Sequence, residues 1–343
     1  MKQRNHAFDL LCGLCIVRMI SLHVVTLCGH GKDTWWEVLM SWTFFFMSFF
    51  FFKAGYFNKS LAGDTRAYVK DKAKRLLVPY LSAGAIGNAV YFAFLPFLLE
   101  RYKKPIEPLA WSHLWDTASF FGNLPTWFLF SFFAAYVVAH LIEKVRHLHW
   151  VVPAFPFLSY WLHTQGSPLW MSMDNVFIGV YFFFLGRVWR GLMERMGEGR
   201  TALWVSATLV AAFVVGNVLW HGEYAMAQNT FRGHPVAIVV NTTLILCGLS
   251  GLLIAARTPR IPILGYIGEH SMVYFISHYP MLYFYKFTHL AYGRSIWGRY
   301  DDIIILLPSI FMICSWLVPL IEQAPWLSGR WTKKNQNVCT TAE

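Results

Sequence analysis

Three apolar stretches of this 343-residue chain hold side chains able to move protons or bind anions. The first, roughly Phe8 to Cys28, carries Asp9, Arg18 and His23. As a helix it would place Asp9 and His23 about 40° apart on one stripe, but roughly 21 Å apart along the axis. Arg18 would point about 140° away from His23 and so meet a different partner. The second stretch, Phe49-Phe50-Phe51-Phe52-Lys53-Ala54-Gly55-Tyr56-Phe57, embeds a lysine one turn from its end. The third begins Leu264-Gly265-Tyr266-Ile267-Gly268-Glu269-His270-Ser271 and continues to Tyr274, Ser277, His278 and Pro280. Ser271 and His278 stand seven apart and share a face, with Tyr274 between them.

Imidazole titrates near neutral pH, so it can take a proton from a hydroxyl or carry an acyl group. That makes His23 the candidate catalytic residue. A histidine in a span can also serve only as a structural hydrogen-bonding group. Lys53 can likewise snorkel to the interface, or face inward and meet an anionic ligand. The segment after it holds Arg66, Lys70, Lys72, Lys74 and Arg75. Arg66, Lys70 and Lys74 fall at i, i+4 spacing on one helical face. Such a face either anchors the chain to acidic lipid or binds phosphates at the mouth of a site.

The elements that position these groups are membrane spans. The chain is 56% hydrophobic and 14% charged, where soluble proteins are about a quarter charged. Apolar runs near the spanning length of about 20 residues recur throughout. They predict an all-α polytopic protein of about ten transmembrane helices, forming a single membrane-embedded domain over residues 1–343. The spans begin with Phe8 to Cys28, Trp36 to Phe57, and a third running from Arg75 to near Leu99. Trp127 to Glu143, a short Pro-interrupted fifth at Trp150 to Leu162, and Val176 to Leu192 follow. Ala202 to Trp220, Val236 to Ala256, Ile263 to Phe287 and Ile303 to Leu320 complete the set. Loop charge then orients the chain with both termini cytoplasmic. About 19 Lys and Arg, among them Lys2, Arg4, Lys59, Arg146, Lys333 and Lys334, fall inside, against about 8, including Lys103, Lys104, Arg294 and Arg299, outside.

The net charge of +11 is therefore a topology signal, and nucleic acid is not an expected partner; the lipid bilayer is. Cys12-Gly13-Leu14-Cys15 matches a redox C-x-x-C by letter but lacks the strand-to-helix context. The cysteines read as buried small hydrophobes. The N-terminus resembles a signal sequence, yet no small-residue cleavage site follows, so the first run is expected to be retained. No metal site is expected.

Several motifs in order resemble the acyltransferase-3 family, the integral-membrane O-acyltransferases of bacterial surface glycans. Phe8-Asp9-Leu10-Leu11 through Ser21-Leu22-His23 is similar to its opening segment, and Phe49 to Phe57 to its Phe-rich second span. Lys74-Arg75-Leu76-Leu77-Val78-Pro79-Tyr80 resembles its basic entry to the third span. Leu124-Pro125-Thr126-Trp127-Phe128-Leu129, Tyr181-Phe182-Phe183-Phe184-Leu185-Gly186-Arg187 and Leu264 to His278 resemble later elements. The resemblance implies transfer of an acyl group, usually acetyl, from acyl-coenzyme A to a hydroxyl of a polysaccharide or lipid-linked sugar in the bacterial cytoplasmic membrane. Acetyl-CoA is then a co-substrate, with no permanently bound cofactor.

On that basis His23 is catalytic, and Lys53, Lys70, Lys74 and Arg75 hold donor phosphates. Trp127, Ser271, Tyr274 and His278 lie on the acceptor or oxyanion side, and Asp9 and Arg18 are supporting. The family pattern usually has Arg or Lys eleven residues before the first-span histidine; here Cys12 stands there, and Lys53 is expected to supply the charge. A multi-pass transporter or flippase for a lipid or sugar is the rival interpretation, since paired ionisable residues in spans suit it too.

Overall fold

The computed structural model describes residues 5–58, 64–102, 111–145, 147–166, 169–291 and 300–331. Of the loop cations named above, Lys2, Arg4, Lys59, Lys103, Lys104, Arg146, Arg294, Arg299, Lys333 and Lys334 lie outside the described residues. Helix α1 (His6–Leu27) starts at Asn5, whose side chain accepts from the Ala7 and Phe8 N–H groups, a standard N-cap. Next come α2 (Thr34–Trp42), α3 (Phe46–Phe57), α4 (Thr65–Lys72), a π-helical turn at Ala73–Leu77 and α5 (Val78–Tyr102). They are followed by α6 (Trp111–Thr117), α7 (Trp127–Lys144), a 3-10 run at Leu148–Ala154, α8 (Phe155–Thr164), α9 (Asp174–Met196) and α10 (Arg200–Leu219). Strands β1 (Glu223–Ala225) and β2 (Thr230–Arg232) make a small antiparallel hairpin. Helices α11 (Pro235–Ala255), α12 (Pro262–Glu269), α13 (Ser271–Ala291), α14 (Tyr300–Gln323) and α15 (Pro325–Ser328) complete the described chain.

Eight helical segments among the described residues are long and apolar enough to cross a bilayer. The other two expected crossings, the fifth and the ninth, take different forms. Phe51 packs on Phe128 and Phe132, while Ala54 clusters with Ala139 and Phe183. Phe51 lies against Gly179, and the Tyr56 and Asn58 carbonyls meet Arg190. Helices α3, α7 and α9 therefore run parallel, and the chain between α7 and α9 must return across the membrane. The seven 3-10 residues of Leu148–Ala154 and the ten residues of α8 together reach about 29 Å, close to the roughly 30 Å hydrocarbon core. The fifth crossing is thus a mixed helix that a uniform apolar α-helix does not describe. The ninth is broken at His270, between α12 and α13.

Helix directions place Asn5 and the end of α14 on one face, which also carries Lys70, Lys74, Arg75, Arg187, Arg190, Arg260 and Arg330. It is called the basic face below.

Two prolines fix how the bundle closes. Pro280 lies inside α13 and has no N–H for the Ile276 carbonyl four residues back. In hydrocarbon such a group needs a donor from the protein. The fully buried Asn123 supplies it: its Nδ2 donates to the Ile276 oxygen at 2.8 Å. Asn123 is itself held by a tight turn, with its N–H on Phe120 O at 2.9 Å and its carbonyl accepting from Thr126 Oγ1 at 2.7 Å. Pro79 has a parallel effect at the entry to α5. The Val78 N–H reaches back five residues to Ala73 O, and Pro79 offers none, so the Lys74 carbonyl has no donor within its helix. Trp331 Nε1 fills it at 3.0 Å.

Asn123→Ala is expected to destabilise the protein by about 1–3 kcal/mol, the cost of an unpaired buried carbonyl. In a Pro280→Ala background the restored N–H should reduce that loss. Thermal unfolding of the four members of this cycle in detergent measures both, and equal losses in the two backgrounds would refute the pairing.

Candidate functional site

His23 lies on α1 about 25 Å from the helix start at the basic face. Helix α1 can lie close to α12 because Gly13 and Gly268 have no Cβ: one at Gly13 would strike the Leu264 carbonyl, and one at Gly268 that of Asp9. This approach carries α13 along α1 and brings two histidines together. The His23 and His278 ring centroids are 5.3 Å apart, and Tyr279 stands edge-on to His23 at 5.2 Å.

His278 is fully buried, with Nδ1 2.9 Å from the Tyr274 carbonyl. A carbonyl only accepts, so Nδ1 carries the hydrogen and Nε2 keeps its lone pair. That Nε2 has no hydrogen-bond partner among the described residues. The pair therefore presents an oriented, neutral imidazole beside a second one.

The other expected members of the α13 stripe take separate places. The Tyr274 hydroxyl turns to Ser315 Oγ of α14 at 2.6 Å, so it braces two helices. Ser271 opens α13 and is half-buried. Trp127 opens α7, is only 8% exposed, and sets its ring edge-to-face on Phe128; it packs in the core. Tyr279 was not singled out from the sequence, although its position beside His278 is the signal that could have found it.

Toward the basic face, Lys53 Nζ lies 2.8 Å from Cys12 Sγ. Cys12 is fully buried. The ammonium thus arrives at the Cys12 position, eleven residues and about 16 Å along α1 from His23.

The four donor-side cations are not equivalent. Lys70 is exposed, and Arg75 is exposed and paired with Asp71 at 2.9 Å, a contact of small energy. Lys74 is half-buried, its Nζ 5.7 Å from the Trp331 ring centre. Lys72, part of the basic segment but not assigned to the donor, is the inward one: its Nζ lies 4.2 Å from the Tyr136 ring centre and 5.3 Å from that of Tyr68, within cation–π range.

Asp9 is buried and, with His6, Arg260, Ile261, Gly265 and Glu269, lines a cavity of about 260 Å³ at the basic face. It does not reach His23. Arg18 faces α2 and α3, as its helical angle predicts: Nε is 3.3 Å from Thr43 Oγ1, and Cζ lies 3.8 Å over the Phe46 ring.

The family model for the acyltransferase domain, acyltransferase-3, matches residues 5–321, and the chain belongs to that family. It is an integral-membrane acyltransferase that transfers groups other than aminoacyl groups. Comparison with curated proteins and with solved structures gave no match.

Lys53→Met is expected to cut acyl transfer far more than Lys53→Arg, which keeps the charge beside Cys12. Full activity in Lys53→Met, measured as product formed by purified enzyme, would rule out a role for the ammonium.

Proposed function

We propose that the protein moves an acyl group, acetyl in the simplest case, from acyl-coenzyme A to a hydroxyl of a polysaccharide or lipid-linked sugar at the bacterial cytoplasmic membrane. The observation that carries this is the His23–His278 pair, with one imidazole nitrogen fixed as acceptor by the Tyr274 carbonyl. The acceptor hydroxyl oxygen attacks the thioester carbonyl carbon while its proton passes to imidazole, with His23 as the assigned base. The tetrahedral oxyanion collapses and the carbon–sulfur bond breaks. The imidazolium then returns the proton to the departing thiolate, leaving an O-acyl ester and free coenzyme A.

His278, whose Nε2 keeps its lone pair, faces the acceptor hydroxyl, Ser271 carries the hydroxyl donor on the oxyanion side, and Trp127 and Tyr274 shape the site by packing. Lys53, Lys70, Lys74 and Arg75 attract the donor's phosphates. A donor with phosphates at one end of a long arm and a thioester at the other suits the roughly 16 Å between the Lys53–Cys12 contact and His23.

Acetyl-coenzyme A should raise the unfolding temperature of the purified protein. His23→Ala should keep its folding and the donor shift, but lose transfer by about 10²–10⁴-fold, the usual worth of a positioned base. Mass spectrometry of surface glycans with and without the protein reads the acyl mass directly. Normal turnover in His23→Ala would overturn the assignment of the base, and an unchanged glycan mass would overturn the acceptor class.

A further inference from the structure

Helix α1 runs one more turn past His23, ends at Leu27, and leads into a cluster that acyl transfer at His23 leaves unused. His30, in the turn that follows, is 7% exposed. Its ring stacks on Tyr300, the first residue of α14, with centroids 3.8 Å and planes 19° apart. His30 Nδ1 donates to Asp33 Oδ2 at 2.8 Å, and the Tyr300 hydroxyl donates to the same oxygen.

Asp33 is the N-cap residue of α2, yet its side chain makes no capping hydrogen bond. The carboxylate is turned to Tyr300 and His30 instead. Their hydrogen bonds hold the Asp33 carboxyl below its ordinary range, so it stays ionised at neutral pH. With Nδ1 committed to Asp33, Nε2 is the ring nitrogen left over. It is buried and has no hydrogen-bond partner among the described residues. Beside this polar group stand two open aromatic rings, Tyr300 at 52% and Trp35 at 46% exposure, with centroids 6.5 Å apart.

A membrane-interface belt accounts for the exposed Trp35, and core packing with Val25 and Met40 for its neighbour Trp36; the belt leaves the polar groups unexplained. It does not account for a carboxylate braced by His30 and Tyr300, or for a buried ring nitrogen without a partner under a stacked tyrosine. Few, fixed polar groups beside an apolar ring face are the features of a small-ligand site, and Tyr supplies both an apolar body and a polar tip.

We propose that His30, Asp33, Trp35 and Tyr300 form a subsite for a hydroxyl-rich sugar ring, the acceptor's own ring or the one next to it. The C–H face of the sugar lies on the open side of Tyr300, flanked by Trp35. Its hydroxyls donate to Asp33, which has acceptor capacity beyond Tyr300 and His30. The subsite lies at the face opposite the basic one, at the end of the helix that carries His23, so a sugar held there presents a hydroxyl toward the histidine pair. The inference rests on the acyl-transfer assignment, because it gives that reaction its acceptor side.

The test expresses Asp33→Asn, Tyr300→Leu and Tyr300→Phe in cells lacking the wild-type protein. It reads the acyl mass on surface glycans and the thermal shift of each purified variant with acetyl-coenzyme A. Asp33→Asn and Tyr300→Leu should lower glycan acylation about tenfold or more, a loss that corresponds to about 1.4 kcal/mol, while the donor shift stays at the wild-type value. Tyr300→Phe keeps the ring and should lose less. Wild-type acylation in Asp33→Asn or Tyr300→Leu overturns the proposal. So does loss of the donor shift together with acylation in all three variants, which would make the cluster a structural brace. A wild-type protein that adds no acyl mass, or that acetyl-coenzyme A does not stabilise, would instead sink the acyl-transfer assignment itself.

Discussion

A backbone carbonyl inside a bilayer must find its donor within the protein. Pro280 and Pro79 each remove one such donor, and the bundle is organised around the replacements. Asn123 reaches Ile276 across 153 residues of sequence, and Trp331 reaches Lys74 across 257. The first contact ties the turn before α7 to α13, two residues from His278. The second ties the end of the described chain to the basic entry of α5. Losing the first leaves an orphan carbonyl within the span and losing the second leaves one at the basic face, so each proline specifies a tertiary neighbour as well as a local bend.

The same accounting defines the histidine pair. His278 Nδ1 is occupied by the Tyr274 carbonyl, which leaves Nε2 unpaired beside His23. The Tyr274 hydroxyl is satisfied separately on Ser315. Ser277 is settled too, on Val273 O and Cys314 Sγ. Tyr274 and Ser277 thus glue α13 to α14, Tyr283 ties it to the Phe121 carbonyl, and His278 and Tyr279 face α1. A polar stripe in a span is not uniformly a cavity lining.

How much of this the sequence revealed follows from the range of each interaction. The crossings were legible because hydropathy and length act locally, and Arg18 was turned from His23 by helical angle alone. The shared face of Ser271 and His278 was equally readable. The fifth crossing was harder, because a 3-10 run lengthens it without lengthening its apolar stretch. The roles of Asn123 and Trp331, and the inward placement of Lys72, were invisible: they come from partners on other elements, and an asparagine near a Pro-Thr turn has an adequate local explanation. Tyr274 and Trp127 looked like site residues by type, but packing directs the Tyr274 hydroxyl to α14 and the Trp127 ring into the core.

Charge and chemistry are held apart along and around α1, and this separation follows from the solvent. Cations near the basic face are cheap, because they reach water or headgroups. Arg18 is the deep exception, five residues and about 7.5 Å along α1 from His23, and it is turned away, held by Thr43 Oγ1 and the Phe46 ring; a cation facing the imidazole would disfavour the imidazolium. In the acyl-transfer assignment proposed above, Lys53 at Cys12, about 16 Å away along α1, would draw in an anionic donor without facing the imidazole. Only a substrate with its charge far from its reactive carbon could then use both positions at once, and the spacing itself would be an element of donor selection.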